Sequence, residues 1–472
     1  MGTIADKLTY LNSTKAAIKA AIADKGVSVA DTDTFRSYAD KIASIETGGS
    51  GLTINGIIEQ YKVAAGANVS AGDFVSFVEN PGFGNKVVYE NTYCTAITAC
   101  SVTEEKVLVA YTNNTSAVHS VVLTIKNNQI EVGEELSVTY SPEFLCSTKL
   151  SENKVLLAMG VMSGSNSLKC VVLTINDTTI TAGEMTTVFF SRVGSMSVTA
   201  LSETSAIVIY ANPSTSSKGA CVAKVLTITG QTITVGSEVT FIDNSKVYNV
   251  CSTKLSSTKV LIAYRNSSNA GCVQILTISG TNISAGTAKT YATDSKYFSV
   301  SALSDTKAII VNAGSSGCAA ALILSISGTT ITTSTPVAFD TTLTQVWYIS
   351  VDALSTTKAV IAYYDYGTTS KGKVCIANIS GTSITISEPA VLDRIRNGQI
   401  ILKLNDSKAI LIYLDNSGYA SAIGVTANTT VPTLGGGEIY IKRATDRNSY
   451  VGVANTNGNE NETVEVYCVA QT

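Results

Sequence analysis

Short apolar runs separated by polar turns fill the central part of the chain. In the stretch 298–346, a segment rich in small residues (298–303) precedes a polar turn, and an apolar run (308–311) precedes a Gly/Ser loop. Two further strand-like segments follow, the last of them over 330–339. No segment of this stretch shows sustained helical periodicity, so the pattern predicts four β-strands.

This four-strand unit recurs seven times. Each copy contains a phrase in which Leu or Val precedes a polar turn and an apolar run, as in Leu255–Tyr264 and Leu354–Tyr363. Steps between the leading residues are 48, 51, 54, 48, 51 and 50. Such a period with strand content is typical of β-propellers, and second strands that are apolar on both faces fit blades covered on both sides. The phrases begin at Val102, Leu150, Leu201, Leu255, Leu303, Leu354 and Leu404.

The axis and the closure of the ring also follow from the repeats. First strands end in small residues, as in 299–302 and 350–353, because bulky side chains would collide where inner strands converge. The seventh repeat has a third strand near 419–426 but lacks the expected fourth. Residues 86–90 precede the first phrase where other repeats place their fourth strand. We therefore expect this N-terminal strand to complete blade seven, which removes a long unpaired edge.

The segments on either side of the seven repeats predict a helical hairpin and a small β domain. In residues 1–47, apolar spacing indicates two short amphipathic helices in a hairpin, followed by a Gly/Ser linker at 48–51. Residues 52–84 plus 436–472 read as one small β domain, into which a seven-bladed propeller of four-stranded blades (85–435) is inserted. The chain is thus predicted to be mainly β. The hairpin is too small to bury its apolar stripe alone, so we expect copies or a partner to cover it. That stripe comprises Leu8, Leu11, Ile18, Ile22, Phe35 and Ile42.

Composition excludes several classes of function. The net charge of -3 gives no nucleic-acid footprint, and the apolar stretches are too short for membrane insertion. The ten cysteines form no Cys-x-x-Cys pair, so we expect reduced core thiols, with neither a metal nor a cofactor. A ring of lysines in the turns between first and second strands favours a solvated face, or else an anionic docking surface. It comprises Lys106, Lys154, Lys259, Lys307, Lys358 and Lys408.

Candidate binding chemistry lies in the loops between second and third strands and between fourth and first strands. There, aromatic residues stand beside Asp, Asn and Arg, a combination that often grips a sugar or a protein epitope. Each tyrosine taken singly also fits packing at a strand end. The predicted ligand contacts are Tyr264, Arg265, Trp347, Tyr348, Tyr364, Asp365, Tyr366, Asp415 and Tyr419.

Catalysis finds little support in the sequence. The single histidine, His119, lies in a Ser/Val context that points to no triad partners. No Ser-x-Asp-x-Gly-x-x-Trp turn of the sialidase type surrounds Trp347, the only tryptophan. Asp340, Asp352, Asp365 and Asp415 keep glycan hydrolysis open, because a ring can bring carboxylates together. We expect the protein not to be an enzyme.

The flanks resemble parts of phage proteins. Ala5–Asn12 and Asp31–Ile42 look like the helical N-terminus of many tail-associated proteins of phages and prophages of Gram-positive bacteria. Ala71–Val75, Val451–Ala454 and Thr463–Tyr467 are similar to a small β domain of phage virion proteins. The resemblance implies a virion component of the tail-fibre or adsorption type and carries no catalytic residues.

Three hypotheses of function follow. The first is a virion structural protein, assembled in the bacterial cytoplasm, whose propeller binds a host cell-surface glycan or protein. Other virion proteins would contact residues 1–47 and the small β domain, and the chain would form a homo-oligomer. The second is a capsid or tail decoration protein with no receptor role, and the third is a glycan-degrading propeller enzyme.

Overall fold

The computed structural model forms two compact units, residues 1–80 with 438–472 and residues 81–437. The described residues are 4–24, 27–43, 58–63, 69–71, 74–78, 86–115, 117–126, 129–161, 166–212, 220–242, 247–314, 319–339, 345–367, 370–392, 395–427, 432–434, 440–443, 452–454 and 463–468.

The first unit contains the predicted helices, α1 (Ile4–Ala23) and α2 (Phe35–Ala43). Thr34 caps α2, since its side-chain oxygen accepts the backbone N–H of Ser37 at 3.4 Å. Ile22 of α1 and Tyr38 of α2 are buried, at 2% exposure each. No helix within the described residues is both long and apolar enough to cross a membrane.

The predicted apolar stripe of the hairpin is only partly described. Ile22 is covered within the unit, whereas Leu11, Ile18 and Ile42 remain half-buried. The half-buried side chains leave apolar surface for a partner, and assembly through them stays a prediction. The side chains of the other two members of the stripe, Leu8 and Phe35, lie outside the described residues.

The first unit also contains a closed barrel built from both ends of the chain. Each strand of the N-terminal segment lies between two strands of the C-terminal segment, so backbone hydrogen bonds join residues separated by most of the sequence. Lys62, for example, pairs with both Tyr440 and Thr463. The propeller is thus inserted between the two halves of a small β domain. In spatial order, the strands are Ile58–Val63, Tyr440–Arg443, Phe74–Val78, Gly452–Ala454 and Thr463–Cys468.

The second unit is the predicted propeller of seven blades. We call the four strands of each blade A to D, from the innermost outward. The A strands are Ala96–Ser101, Pro142–Ser151, Ser195–Ser202, Tyr248–Ser256, Tyr297–Ser304, Val346–Ser355 and Ile395–Lys403. The B strands are Lys106–Thr112, Lys154–Val161, Ser205–Asn212, Lys259–Arg265, Lys307–Ala313, Lys358–Asp365 and Lys408–Asp415. The C strands are Val118–Lys126, Ser167–Asn176, Ala220–Thr229, Gly271–Ser279, Ala319–Ser327, Lys371–Ser380 and Ala420–Thr426.

Strand D is broken into two short pieces in blades one to six, and both pieces pair with strand C. A Gly or Ser turns the backbone between them; in blade three the N–H of Gly236 donates to the carbonyl of Val225 at 2.8 Å. The fourth strand predicted as continuous over 330–339 therefore consists of two. The first pieces are Gln129–Val132, Thr179–Ala182, Thr232–Val235, Asn282–Ala285, Thr330–Thr333 and Ser383–Ile386. The second pieces are Leu136–Val138, Thr186–Phe189, Val239–Ile242, Lys289–Ala292, Val337–Ala338 and Ala390–Val391.

Blade seven closes the ring as predicted. The N-terminal strand Val87–Glu90 pairs antiparallel with strand C of blade seven, with Val87 opposite Ala422. Thr433–Leu434 pairs with the other end of the same strand. The expectation that the C-terminal side provides no fourth strand was therefore wrong, because the broken strand D of this blade takes one piece from each side of the propeller.

Apolar layers between neighbouring blades form the core of the propeller. Between blades five and six, for example, Ile309 and Ile323 pack in one cluster with Ile361 and Ala377, all without exposure. Strand B is sandwiched in this way on both faces, which explains why its sequence is apolar throughout. Each blade is therefore stabilised by its neighbours rather than by a core of its own.

Hydrogen bonds between A strands tie the blades together around the axis. A side-chain oxygen on strand A of one blade accepts the backbone N–H of a residue on strand A of the next. These N–H groups face the axis and have no neighbouring strand on that side, so the side-chain acceptors satisfy them. The acceptor–donor pairs are Thr148–Ala200, Ser195–Val250, Thr253–Ala302, Ser299–Val351, Ser301–Ala353, Ser350–Ile401 and Asp352–Lys403.

Among the described residues, four lysines at the start of strand B each link their blade to the next one. The ammonium group donates to a carbonyl in the C–D turn of the following blade, at a residue with positive φ. Blade three has Ser205 at this position, opposite the equivalent Gly280 of blade four. The predicted lysine ring therefore includes inter-blade clamps as well as solvated surface. The described lysine–carbonyl pairs are Lys106–Asp177, Lys154–Gly230, Lys259–Gly328 and Lys307–Gly381.

The inter-blade clamp is missing in blade three, where Ser205 stands in place of the lysine. Restoring it should therefore stabilise the propeller. Ser205→Lys should add a hydrogen bond to the Gly280 carbonyl and raise the free energy of unfolding by about 1 kcal/mol. Lys259→Met keeps an apolar stem but loses the bond to Gly328, and should lower it by a similar amount. Melting temperatures should therefore rank Ser205→Lys above wild type and Lys259→Met below. Equal values for all three proteins would show that the clamp contributes nothing.

Candidate functional site

The antiparallel order of the strands divides the loops between two ends of the propeller. The B–C and D–A connections lie at one end, which we call the loop face. The A–B and C–D turns lie at the other end, which we call the turn face. Residues at the start of strand A and at the end of strand B therefore belong to the loop face. Most of the predicted ligand contacts occupy these positions.

Five aromatic side chains of blades five and six gather on the loop face, and we call them the aromatic cluster. Trp347 and Tyr366 stack in parallel, with ring centroids 3.9 Å apart and planes 3° apart. Tyr364 meets Tyr366 edge-on at 5.9 Å, and Tyr348 meets Trp347 edge-on at 6.2 Å. Tyr297 of blade five lies 5.4 Å from Tyr348. The cluster thus spans the seam between two blades.

A β-bulge at the start of strand A of blade six positions two of these rings. Trp347 pairs with Tyr364, whereas Ser350 pairs with Ala362, so one extra residue is inserted on strand A. Tyr348 lies within the bulge and has a φ of 47°. A bulky side chain is strained in this left-handed region, and such strain tends to persist at functional sites.

Equivalent positions in blades four to six form an arc on the loop face. Tyr248, Lys296 and Trp347 each lie seven residues before the leading Leu of their repeat. The side-chain amide of Asn249, next to Tyr248, donates to the Lys296 carbonyl at 3.0 Å. The start of strand A in blade four is therefore joined to that in blade five, and the aromatic cluster continues the arc into blade six.

Positive charges lie directly over the rings of this arc. The Lys296 ammonium is 5.4 Å from the ring centroid of Tyr297 and 5.5 Å from that of Trp347. The Arg265 guanidinium is 5.1 Å from the ring centroid of Tyr248. These are cation–π distances, so each ring helps to fix a cation at the surface.

The aromatic cluster combines an open ring with buried support. Tyr366 is 44% exposed, whereas Tyr364 beneath it is only 4% exposed. Trp347, Tyr348 and Tyr297 are half-buried. Trp347 stacks on one face of the Tyr366 ring, and 44% of the Tyr366 side chain remains exposed.

Three predicted contacts at the ends of strand B in blades four and six are buried and cannot touch a ligand directly. Asp365 has no exposure, and its carboxylate pairs with the ammonium of Lys373 at 3.2 Å. Tyr264 is 5% exposed, and burial raises the pKa of its hydroxyl. Together with Tyr364, they support the loop face from below. The predictions were wrong for these residues because strand B remains apolar and enclosed up to its end.

Asp415 and Tyr419 belong to the closure of the ring. The Asp415 carboxylate accepts the backbone N–H groups of Ser417 and Tyr419 at 2.9 and 3.1 Å, and the ammonium of Lys86 at 2.8 Å. Burial alone opposes its ionisation, but these donors prevail and lower its pKa. Asp415 thus shapes its own loop and holds the N-terminal strand. Tyr419 is half-buried, and no ring contact among the described residues joins it to the aromatic cluster.

His119 is held in a structural cluster. Its Nδ1 lies 2.7 Å from the Glu135 carboxylate and its Nε2 lies 2.8 Å from the Thr115 hydroxyl. The ring stacks on Tyr111, whose hydroxyl donates to the same carboxylate at 2.7 Å. The Thr115 hydroxyl also donates to the Asn113 side chain at 2.5 Å. Since Thr115 has a single proton, this arrangement fixes the loop rather than activating a nucleophile.

A funnel of about 1960 Å³ opens around the axis at the turn face. Hydroxyl-bearing A strands line it, and the exposed Lys149, Lys254 and Glu203 stand among its walls. Asp352 is enclosed there, accepting the Ser301 hydroxyl at 2.9 Å and the Lys403 backbone N–H at 2.8 Å. Burial raises the pKa of Asp352 despite these donors. Because both signs of charge occur in the funnel, it has no marked preference for one kind of ion.

Comparison with known proteins supports the propeller fold. No family model matches the chain, and no curated protein matches it by sequence. It is similar to a solved protein of Lactobacillus plantarum, with 11% identity and a TM-score of 0.52 over 72% of this chain and 97% of the other. It is also similar to the lectin BP39L of Burkholderia pseudomallei, with 7% identity and a TM-score of 0.55 over 75% of this chain and 100% of the other. At such identities the likeness shows the fold alone, and neither match bears on the resemblance to phage proteins.

Asp352 predicts a specific pH dependence of stability. Because its pKa is raised above 3.8 in the folded state, its contribution is full below that value and is lost as the pH rises through the raised pKa. Asp352→Asn removes this titration. The melting temperature of wild type should therefore fall relative to the variant as the pH increases from acid to neutral. A difference that stays constant across this range would contradict the assignment.

Proposed function

We propose that this chain is a non-enzymatic virion protein that binds carbohydrate on a host surface through the loop face of its propeller. The observation that carries the binding role is the parallel stack of Trp347 and Tyr366, whose outer ring is open to solvent. The structural similarity to BP39L gives no information about a ligand of this chain, so the proposal rests on these side chains.

Stacked aromatic rings suit a sugar for physical reasons. A pyranose presents an apolar face of C–H groups, which packs on a flat ring and loses contact with water. Tyr and Trp have few rotatable bonds, so holding them in place costs little conformational entropy. Tyr364 and Trp347 already restrain Tyr366, and the bulge at Tyr348 fixes the neighbouring backbone. The surface is therefore preorganised for such a ligand.

The proposal assigns no catalytic role because the candidate carboxyl groups already interact with other groups of the protein. Hydrolysis of a glycosidic bond needs two accessible carboxyl groups on either side of it. Asp365 is committed to Lys373, and Asp415 to Lys86. Asp352 is enclosed by donors at the opposite face. None of these three is poised at the aromatic cluster as an acid or a nucleophile, and the fourth candidate, Asp340, lies outside the described residues.

The virion role rests on the flanking segments. Their resemblance to phage tail-associated and virion proteins motivates the assignment, which extends to assembly in the bacterial cytoplasm. Residues 1–47 and the small β domain would attach to other virion proteins and to further copies of the chain. Half-buried Leu11, Ile18 and Ile42 supply apolar surface for such contacts. The propeller would then be the part displayed outward.

Removal of the stacked rings should weaken binding selectively. Trp347→Ala and Tyr366→Ala should each reduce affinity for host cell-wall polysaccharide at least about tenfold, because few rigid aromatics usually dominate such contacts. Phe190→Ala is the matched control, since Phe190 is an aromatic residue of 86% exposure outside the aromatic cluster. Calorimetric titration of the purified proteins measures the effect. Equal affinities for all variants would place binding elsewhere, and hydrolysis of the polysaccharide would favour the enzyme instead.

Deletion of residues 1–47 should separate assembly from recognition. The truncated chain should keep a folded propeller that binds polysaccharide, because the propeller is a compact unit of its own. It should no longer form oligomers or enter particles, since the apolar surface for those contacts is lost. Light scattering gives the mass of both proteins in solution. An unchanged mass, with normal incorporation into particles, would rule out the assembly role of the hairpin.

A further inference from the structure

We propose that the glycan recognised by the loop face is anionic, and that Lys296 and Arg265 bind its acidic groups. This inference rests on the proposed function and specifies its ligand class. The shared chemistry is a sugar-containing chain bearing carboxylate or phosphate groups. The sugar stacks on Tyr366 while its acidic group reaches the cation beside Trp347.

The first observation is the position of Lys296 between aromatic rings. Its ammonium lies over both Tyr297 and Trp347, at 5.4 and 5.5 Å from their centroids. A ring face attracts the cation but accepts none of its N–H donors in the way an oxygen does. The ammonium thus retains hydrogen-bonding capacity at the edge of the aromatic cluster. An anionic oxygen is the partner that this arrangement suits.

The second observation is Arg265 of blade four, whose cation also lies over an aromatic ring. Its guanidinium lies over the Tyr248 ring, and Tyr248 is 37% exposed. The Arg265 side chain also donates to the Asn269 side-chain oxygen, a neutral acceptor. Since Asn249 links the Tyr248 segment to the Lys296 backbone, both cations belong to one continuous arc.

The third observation is that carboxylates neutralise many other cations of the propeller. Lys86 pairs with Asp415, Lys224 with Glu238 and Lys373 with Asp365. Within the described part of the chain, no carboxylate forms an ion pair with Lys296 or with Arg265. Two cations held over aromatic rings on one arc, with no ion pair to a described carboxylate, create a local positive field. The same field lowers affinity for a cationic ligand and contributes little to a neutral one.

The test compares glycans that differ only in charge. A glucuronic-acid oligosaccharide is titrated beside its carboxyl-reduced counterpart, and a glycerol-phosphate oligomer with sugar substituents is titrated beside the free sugar. The full-length protein is used as wild type, Lys296→Gln, Arg265→Gln and Lys149→Gln. Lys149 is an exposed lysine of the turn face and serves as the matched charge control. Melting temperatures check that every variant is folded.

Wild type should bind at least one acidic ligand about tenfold or more tightly than its neutral counterpart, with an affinity that falls as salt increases. Lys296→Gln and Arg265→Gln should each reduce that preference for the acidic ligand several-fold, whereas Lys149→Gln should behave as wild type. Preference for the uronate or for the phosphate ligand identifies the source of the anion.

Two results would overturn the inference and are distinguishable. Equal binding of acidic and neutral ligands, unaffected by Lys296→Gln, would refute the charge assignment while leaving a glycan-binding propeller in place. Absence of binding to every acidic and neutral ligand, with Trp347→Ala indistinguishable from wild type on host cell-wall polysaccharide, would refute the proposed function and this inference together.

Discussion

The exposed inner edges of the A strands are the constraint on which the propeller depends. A strand at the axis has no neighbour on one side, so its N–H groups need another acceptor. Ser and Thr side chains of the preceding blade supply it, as Ser299 and Ser301 do for blade six. Each such bond both satisfies the backbone and sets the position of the next blade. The apolar layers between blades and the lysine clamps then act on an arrangement that these bonds define.

Much of this architecture could be predicted from the sequence, and the reasons are physical. Residues enclosed on both faces must be apolar, so strand B was visible in every repeat, and the lack of a full fourth strand after 419–426 indicated the closure by 86–90. Steric crowding correctly predicted small residues near the axis but did not reveal that Ser299 and Ser301 act as acceptors. Hydrogen-bond partners on other blades lie about fifty residues away, and no local pattern reports them.

The candidate site was harder to predict than the fold. Asp365 and Tyr264 stand next to loop residues in sequence, yet they point into the core, because burial along strand B extends to its last residues. Lys296 was missed since a single lysine in a polar segment is unremarkable. Alignment of the repeats on their leading Leu would have found it, because Lys296 then falls in register with Tyr248 and Trp347. A rigid ring permits such an arc to include the strained Tyr348 at modest cost, since the surrounding strands determine its backbone.

The central claim is that a glycan stacks at the aromatic cluster, and the fluorescence of Trp347 tests it most directly. Trp347 is the only tryptophan of the chain, so its emission reports on this site alone. Host cell-wall glycan should change the intensity or wavelength of that emission saturably, with the same midpoint as calorimetric binding. Emission that remains unchanged while calorimetry records saturable binding would contradict the account, because the ligand would then occupy another surface.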